Sequence, residues 1–162
     1  MPPTLPPEFA LAAACAAWPP SDRRTETIHV AAAKQLDWPR FTRVVERHGV
    51  WCLVRDGLRQ AKPAIPPEIL GEIEEQTTSL VRSGLAMAVE TVRLQRLFDE
   101  AGLSLLILKG ASLAMLAYGN LGMRSAKDID LLIRPESLEP AVALLKTSGY
   151  RRFDPAPTAG TN

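Results

Sequence analysis

Up to about residue 100, apolar positions recur at helical spacing between proline and glycine punctuation. An alanine-rich segment over Glu8–Trp18 follows Pro6-Pro7 and is stopped by Pro19-Pro20. Ser21 or Asp22 is placed to cap a second helix reaching Leu36. Asp37-Trp38-Pro39 starts a third, because the fixed φ of proline suits the first helical turn. Phe41, Val44, Val45 and His48 follow at helical spacing, and Gly49 ends the run. Val50–Gln60 reads as a short fourth helix with Trp51, Val54 and Leu58 on one side. Beyond the proline-rich connection 62–67, a long pattern runs from Glu68 to Glu100. Its expected buried stripe is Leu70, Ile73, Leu80, Leu85, Val89, Val92 and Leu97, and Glu72, Glu74, Glu75, Arg93 and Arg96 form the solvated face. Ser83-Gly84 is the expected point of a break or bend.

At Gly102 the period changes. Leu103–Leu108 is a continuous apolar run bounded by glycines, the pattern of a buried strand. Ser112–Tyr118 returns to helical spacing, Gly119, Asn120 and Gly122 form a loop, and Ile129–Ile133 is a second short strand ended by Pro135. An amphipathic helix over Pro135–Ser148 turns Leu138, Val142 and Leu145 inward and closes at Gly149. Tyr150–Phe153 begins a third strand, and 155–162 is a loop-like tail. The expected class is α+β: a helical region over 8–100, then a partial core over 101–154 with a short mixed sheet and flanking helices.

Composition excludes more than it selects. With 162 residues, 46% of them hydrophobic and 23% charged, the chain has the make-up of a folded domain, not a disordered one. A net charge of +1 leaves no overall basic footprint for nucleic acid. Cys15 and Cys52 are far apart and outside any C-x-x-C spacing, so idle thiols are expected. His29 and His48 lack a carboxylate or cysteine at ligand spacing and read as ordinary helix residues. Ala12-Ala13-Ala14-Cys15 faintly resembles a lipoprotein cleavage box. Yet the first basic residue among Lys and Arg is Arg23, and Pro2, Pro3, Pro6 and Pro7 interrupt the apolar run. With no stretch of transmembrane length, a cytoplasmic location without membrane attachment is expected.

The chemistry concentrates late in the chain. Asp128 and Asp130 stand two apart on an expected strand, which directs both carboxylates to one face while Ile129 turns into the core. Such a pair repels itself unless a cation lies between, and Mg²⁺ or Mn²⁺ shared with substrate phosphates is the natural occupant. With seven aspartates in the chain, an Asp-x-Asp arises by chance about 0.3 times, so the pair alone carries little weight. A solvated strand end is its plain alternative. Context adds to it. Gly110 sits where a strand enters a helix, which leaves free N–H groups and a positive helix end for a phosphate. Lys109 precedes it, Ser112 follows two residues on, and Arg124 and Lys127 flank the acidic pair. These basic groups would neutralise a triphosphate that the metal covers only in part.

Leu108-Lys109-Gly110-Ala111, Leu116-Ala117-Tyr118-Gly119, Arg124, Asp128-Ile129-Asp130-Leu131-Leu132-Ile133 and Leu144-Leu145…Gly149-Tyr150 resemble a bacterial nucleotidyltransferase family long labelled uncharacterised, part of the DNA polymerase beta-like nucleotidyltransferase superfamily. The likeness is strongest over Leu103–Tyr150. Trp38, His48-Gly49-Val50 and Ile65-Pro66 resemble the family's N-terminal region more loosely. The resemblance implies Mg²⁺-dependent transfer of a nucleoside monophosphate from an NTP to an acceptor hydroxyl, with release of pyrophosphate. It makes Gly110 the phosphate-turn glycine and Asp128 and Asp130 both catalytic and the first two metal carboxylates. Lys109, Ser112, Arg124 and Lys127 are then candidate nucleotide contacts.

Two departures from the superfamily pattern stand out. Ala111, not serine or glycine, follows Gly110, with Ser112 one residue later. The superfamily also carries a third carboxylate on a later strand, and Asp154 is the sole acidic residue after Glu139. Two or three short strands leave an unpaired edge. The chain therefore reads as the N-terminal part of a longer member or as a shortened relative, completed by a further portion or by a second copy. The acceptor stays open between protein, small molecule and nucleic acid. So does an alternative function, a non-catalytic nucleotide-binding or regulatory/interaction module.

Overall fold

A computed structural model describes residues 5–124 and 126–152. Five helices come first: α1 (Pro7–Ala16), α2 (Asp22–Ala32), α3 (Trp38–His48), α4 (Trp51–Ala61) and α5 (Pro67–Glu100). Strand β1 (Leu105–Ile107), helix α6 (Ala111–Tyr118), strand β2 (Leu131–Ile133) and helix α7 (Leu138–Thr147) follow, with 3₁₀ turns at Leu121–Met123 and Pro135–Ser137. The architecture is α+β, rich in helix, with one small sheet among the described residues.

Local chemistry explains the helix boundaries. The Ser21 hydroxyl accepts from the Arg24 N–H at 3.2 Å and caps α2. The Asp37 carboxylate does the same for α3 through the Arg40 N–H at 2.9 Å. Gly49, at φ +63°, lets the chain leave α3 through a left-handed turn. Helix α2 stops at Ala32, short of Leu36: the Ala33 N–H still donates to the His29 carbonyl four residues back, but the Lys34 N–H turns to Ala31, three back, and the run ends.

The first hydrophobic cluster lies among α1–α4 and the start of α5, with Leu11, Ile28, Phe41, Val45, Val54 and Ile73 at its centre. Helices α1 and α4 approach so closely that a Cβ at Gly57 would stand 2.9 Å from the Cys15 Cα. Arg24 is buried in this region. Its guanidinium donates to the carbonyls of Cys15 (2.6 Å) and Leu53 (3.3 Å) and pairs with Asp56 at 2.9 Å. Buried Glu8 accepts the Asp37 N–H at 3.1 Å, tying α1 to the entry of α3.

The second cluster joins Leu94 and Phe98 of α5, one face of the β-hairpin and Ala141, Leu144 and Leu145 of α7. Helix α5 runs unbroken through Ser83-Gly84 and serves both clusters. That service determines its buried face: Ile69, Ile73 and Thr77 toward the first cluster, then Thr91, Leu94 and Phe98 toward the second. The expected stripe is corrected accordingly. Ile73 is buried and Leu80 and Leu97 are partly so, but Leu70, Leu85, Val89 and Val92 are exposed. At ~3.6 residues per turn, the last three lie on a face turned away from Ile73, Leu94 and Phe98.

The sheet is also thinner than the apolar run suggests. Strands β1 and β2 pair antiparallel with Leu105 opposite Ile133 and Ile107 opposite Leu131. Leu105, Leu131 and Ile133 line the second cluster and Ile107 is half-buried, while Leu106, Leu108 and Leu132 face outward and are exposed. A two-stranded antiparallel hairpin covers one face only, so the run is not buried on both sides. Residues 150–152 form no strand, and Phe153 lies outside the described residues. In α7, Ala141, Leu144 and Leu145 pack inward. Leu138 is exposed because the preceding 3₁₀ turn shifts the helix start to that residue.

Candidate active site

The hairpin brings the candidate residues together. Just past the ladder, the Leu108 N–H donates to the Asp130 carbonyl at 3.1 Å, which sets Lys109 and Gly110 beside the acidic pair. Gly110 is buried and adopts φ +69°, ψ −132°, a conformation closed to most L-residues. A Cβ there would meet the Ala126 Cβ at 3.7 Å and the Asp128 carbonyl oxygen at 3.9 Å, so the turn lies directly against the 126–128 segment. Helix α6 starts on this glycine without a side-chain cap, which leaves its first-turn N–H groups available. Ser112 is half-buried on that first turn.

The acidic pair is not on the strand itself. Strand β2 begins at Leu131; Asp128 lies in a bend and Asp130 is the residue directly before the ladder. Strand alternation therefore does not fix both carboxylates to one face. Of the pair, Asp130 joins the ladder's end through its carbonyl, which accepts the Leu108 N–H. Ile129 packs into the second cluster as expected.

The Lys109 ammonium stands 2.8 Å from the Asp130 Oδ2. That oxygen is closed off from solvent and has no hydrogen-bond donor aligned on it, which leaves the ion pair as its compensation. The close contact and charge of Asp130 raise the Lys109 pKa above lysine's ordinary value; exposure keeps desolvation small, Asp128 adds to the rise and Arg124 opposes it. Lys109, Asp130, Asp128 and half-buried Arg124 thus share one local field. Lys127 is exposed on the same bend. The Lys109–Asp130 pair escapes sequence inspection because it depends on hairpin register, 21 residues apart in the chain.

The donor set suits a hard divalent ion. Two carboxylates, one with a solvent-shielded oxygen lacking a hydrogen bond, are what Mg²⁺ or Mn²⁺ uses when phosphates and water supply the other ligands. No group of three or more His, Cys, Asp or Glu poised for a metal occurs among the described residues. Asp154, the candidate third carboxylate, lies outside the described residues.

The sequence pattern of a family described as "Uncharacterised nucleotidyltransferase" matches residues 34–159, well over half of the chain. The chain belongs to this family. The match starts ahead of α3 and runs past α7, so it takes in α3–α5 as well as the Gly110 turn and the acidic pair. The looser N-terminal likeness around Trp38, His48 and Ile65 falls inside that span. No curated protein and no solved structure matches the chain. Among the described residues, no helix is long and apolar enough to cross a membrane.

Proposed function

We propose that the turn from Lys109 to Asp130 binds an NTP together with Mg²⁺ or Mn²⁺ and transfers its nucleoside monophosphate to an acceptor hydroxyl, releasing pyrophosphate. Family membership supports nucleotidyl transfer in general. The observation that carries the finer reading is the shielded Asp130 oxygen held next to a glycine turn that opens a helix.

In this reading the first-turn N–H groups of α6 and the backbone at Gly110 receive the phosphate chain, where glycine permits close approach. Lys109, Arg124 and Lys127 offset the phosphate charge. Asp128 and Asp130 hold the divalent ion, which when bound supplies charge neutralisation and polarises the α-phosphate. The acceptor oxygen forms a bond to the α-phosphorus as the bond to the bridging oxygen of pyrophosphate breaks. The acceptor's proton passes to solvent water as that bond forms.

The direct test is release of pyrophosphate and transfer of an α-phosphate label from each NTP, in Mg²⁺, across protein, small-molecule and RNA acceptors. Label transfer that disappears in Asp128→Asn and Asp130→Asn is the expected result. A second reading, a nucleotide-binding module without turnover, draws on the finding of two carboxylates and no third among the described residues. It gains if nucleotide binds with dependence on both aspartates while no acceptor is labelled.

A further inference from the structure

Lys109 contacts the acidic pair in a way that a simple phosphate-binding residue would not need. Its ammonium already occupies the position next to Asp130 Oδ2, at 2.8 Å, where a divalent ion would have to enter. The lysine side chain is 54% exposed, so no packing holds it there, and its long flexible stem lets the charge leave without disturbing the second cluster. The carboxylate oxygen is the constrained partner, since it is solvent-shielded and lacks any other compensation. Gly110 and the open N-terminus of α6 follow directly in the chain, within reach of the same side chain.

We propose that Lys109 is a positioning residue that serves as the resident counter-ion of Asp130 and exchanges for the divalent ion when metal and nucleotide arrive together. This rests on the metal–nucleotide reading of the site. Before loading, the ammonium holds the Asp130 carboxylate in place and stands in the way of a bare metal ion. On loading, the divalent ion takes over that oxygen and the ammonium turns to the triphosphate at the adjacent helix end. Lys109 thereby opposes metal alone and favours metal with nucleotide, so that the two bind as a unit.

The test measures free Mn²⁺ by electron paramagnetic resonance and, separately, calorimetric binding of a non-transferable ATP analogue with a methylene bridge between the α- and β-phosphates, in Mn²⁺. Lys109→Met is expected to tighten Mn²⁺ binding alone by roughly two- to fivefold, the strength of a partly exposed ion pair, and to weaken the analogue by roughly tenfold. Lys109→Arg, which keeps the pairing, restores the parent's Mn²⁺ affinity. The control is Arg134→Met, which removes a charge from an exposed residue after β2. The proposal is overturned if Lys109→Met leaves Mn²⁺ binding unchanged or weaker, or if Arg134→Met tightens it equally. Parent-like Mn²⁺ affinity in Asp130→Asn would instead defeat the metal-site reading itself.

Discussion

Gly110 has φ +69° and ψ −132° at the junction of hairpin and helix, and the space around it is ordinary, with the nearest atoms 3.7 and 3.9 Å from a notional Cβ. A substitution there is penalised by backbone strain and not by collision. Gly110→Ala is expected to cost about 1–3 kcal/mol in chemical denaturation, and to lower nucleotide affinity further by reshaping the turn. A variant as stable as the parent would remove the strain argument. Cys15 is the other residue with a sharp consequence. Burial pushes its thiol up to about 12, with Arg24 opposing. The folded protein therefore keeps the proton that the unfolded chain loses near its ordinary value, so unfolding becomes progressively easier as pH rises from about 9 towards 12. At pH 8 iodoacetamide should leave Cys15 unmodified in the native protein and label it in denaturant, as read by mass spectrometry; rapid native labelling would contradict the burial. At this scale the residue types of the candidate site were legible, because glycine before a helix, basic neighbours and an Asp-x-Asp each have a local signature. The Lys109–Asp130 pair and the Arg24 and Glu8 contacts were not, since each joins positions distant in the chain.

Among the elements, helix ends were readable from proline, glycine and capping side chains, and the structure places them within a few residues of expectation. The buried face of α5 was not. A helix of 34 residues loaded by two separate clusters shows no single stripe, and the stronger apolar periodicity through Leu85, Val89 and Val92 belongs to its exposed side. The strands were found but overextended: apolarity continues through Leu108, whereas pairing covers three residues in each strand. Contacts between elements also decide where stability resides. Arg24 links α2 to the end of α1 and to α4 through two carbonyls and Asp56. Arg24→Leu leaves the Cys15 carbonyl and Asp56 without that partner and is expected to destabilise by about 2–4 kcal/mol, less than for a fully buried pair because Asp56 is partly exposed. A loss below about 0.5 kcal/mol in urea denaturation, the size of an ordinary surface change, would show that the network is not structural.

Across the molecule, a helical cluster and a hairpin-centred cluster share α5 as their common strut. The Trp18 ring, beyond the end of α1, meets Tyr118 at the end of α6 edge-on at 5.2 Å. The candidate site lies where β1 runs into α6 and the chain returns to β2. The near-neutral chain carries its relevant charge locally, in Lys109, Arg124 and Lys127 around two carboxylates. Family membership follows from the span 34–159; the metal–nucleotide site is the step that needs measurement. Calorimetric titration of the methylene-bridged ATP analogue in Mg²⁺ into the parent, Asp128→Asn and Asp130→Asn tests it most directly. Binding by the parent that weakens at least about tenfold in each variant, the scale of losing a charged ligand, is the expected result. Equal affinity in all three proteins would contradict it.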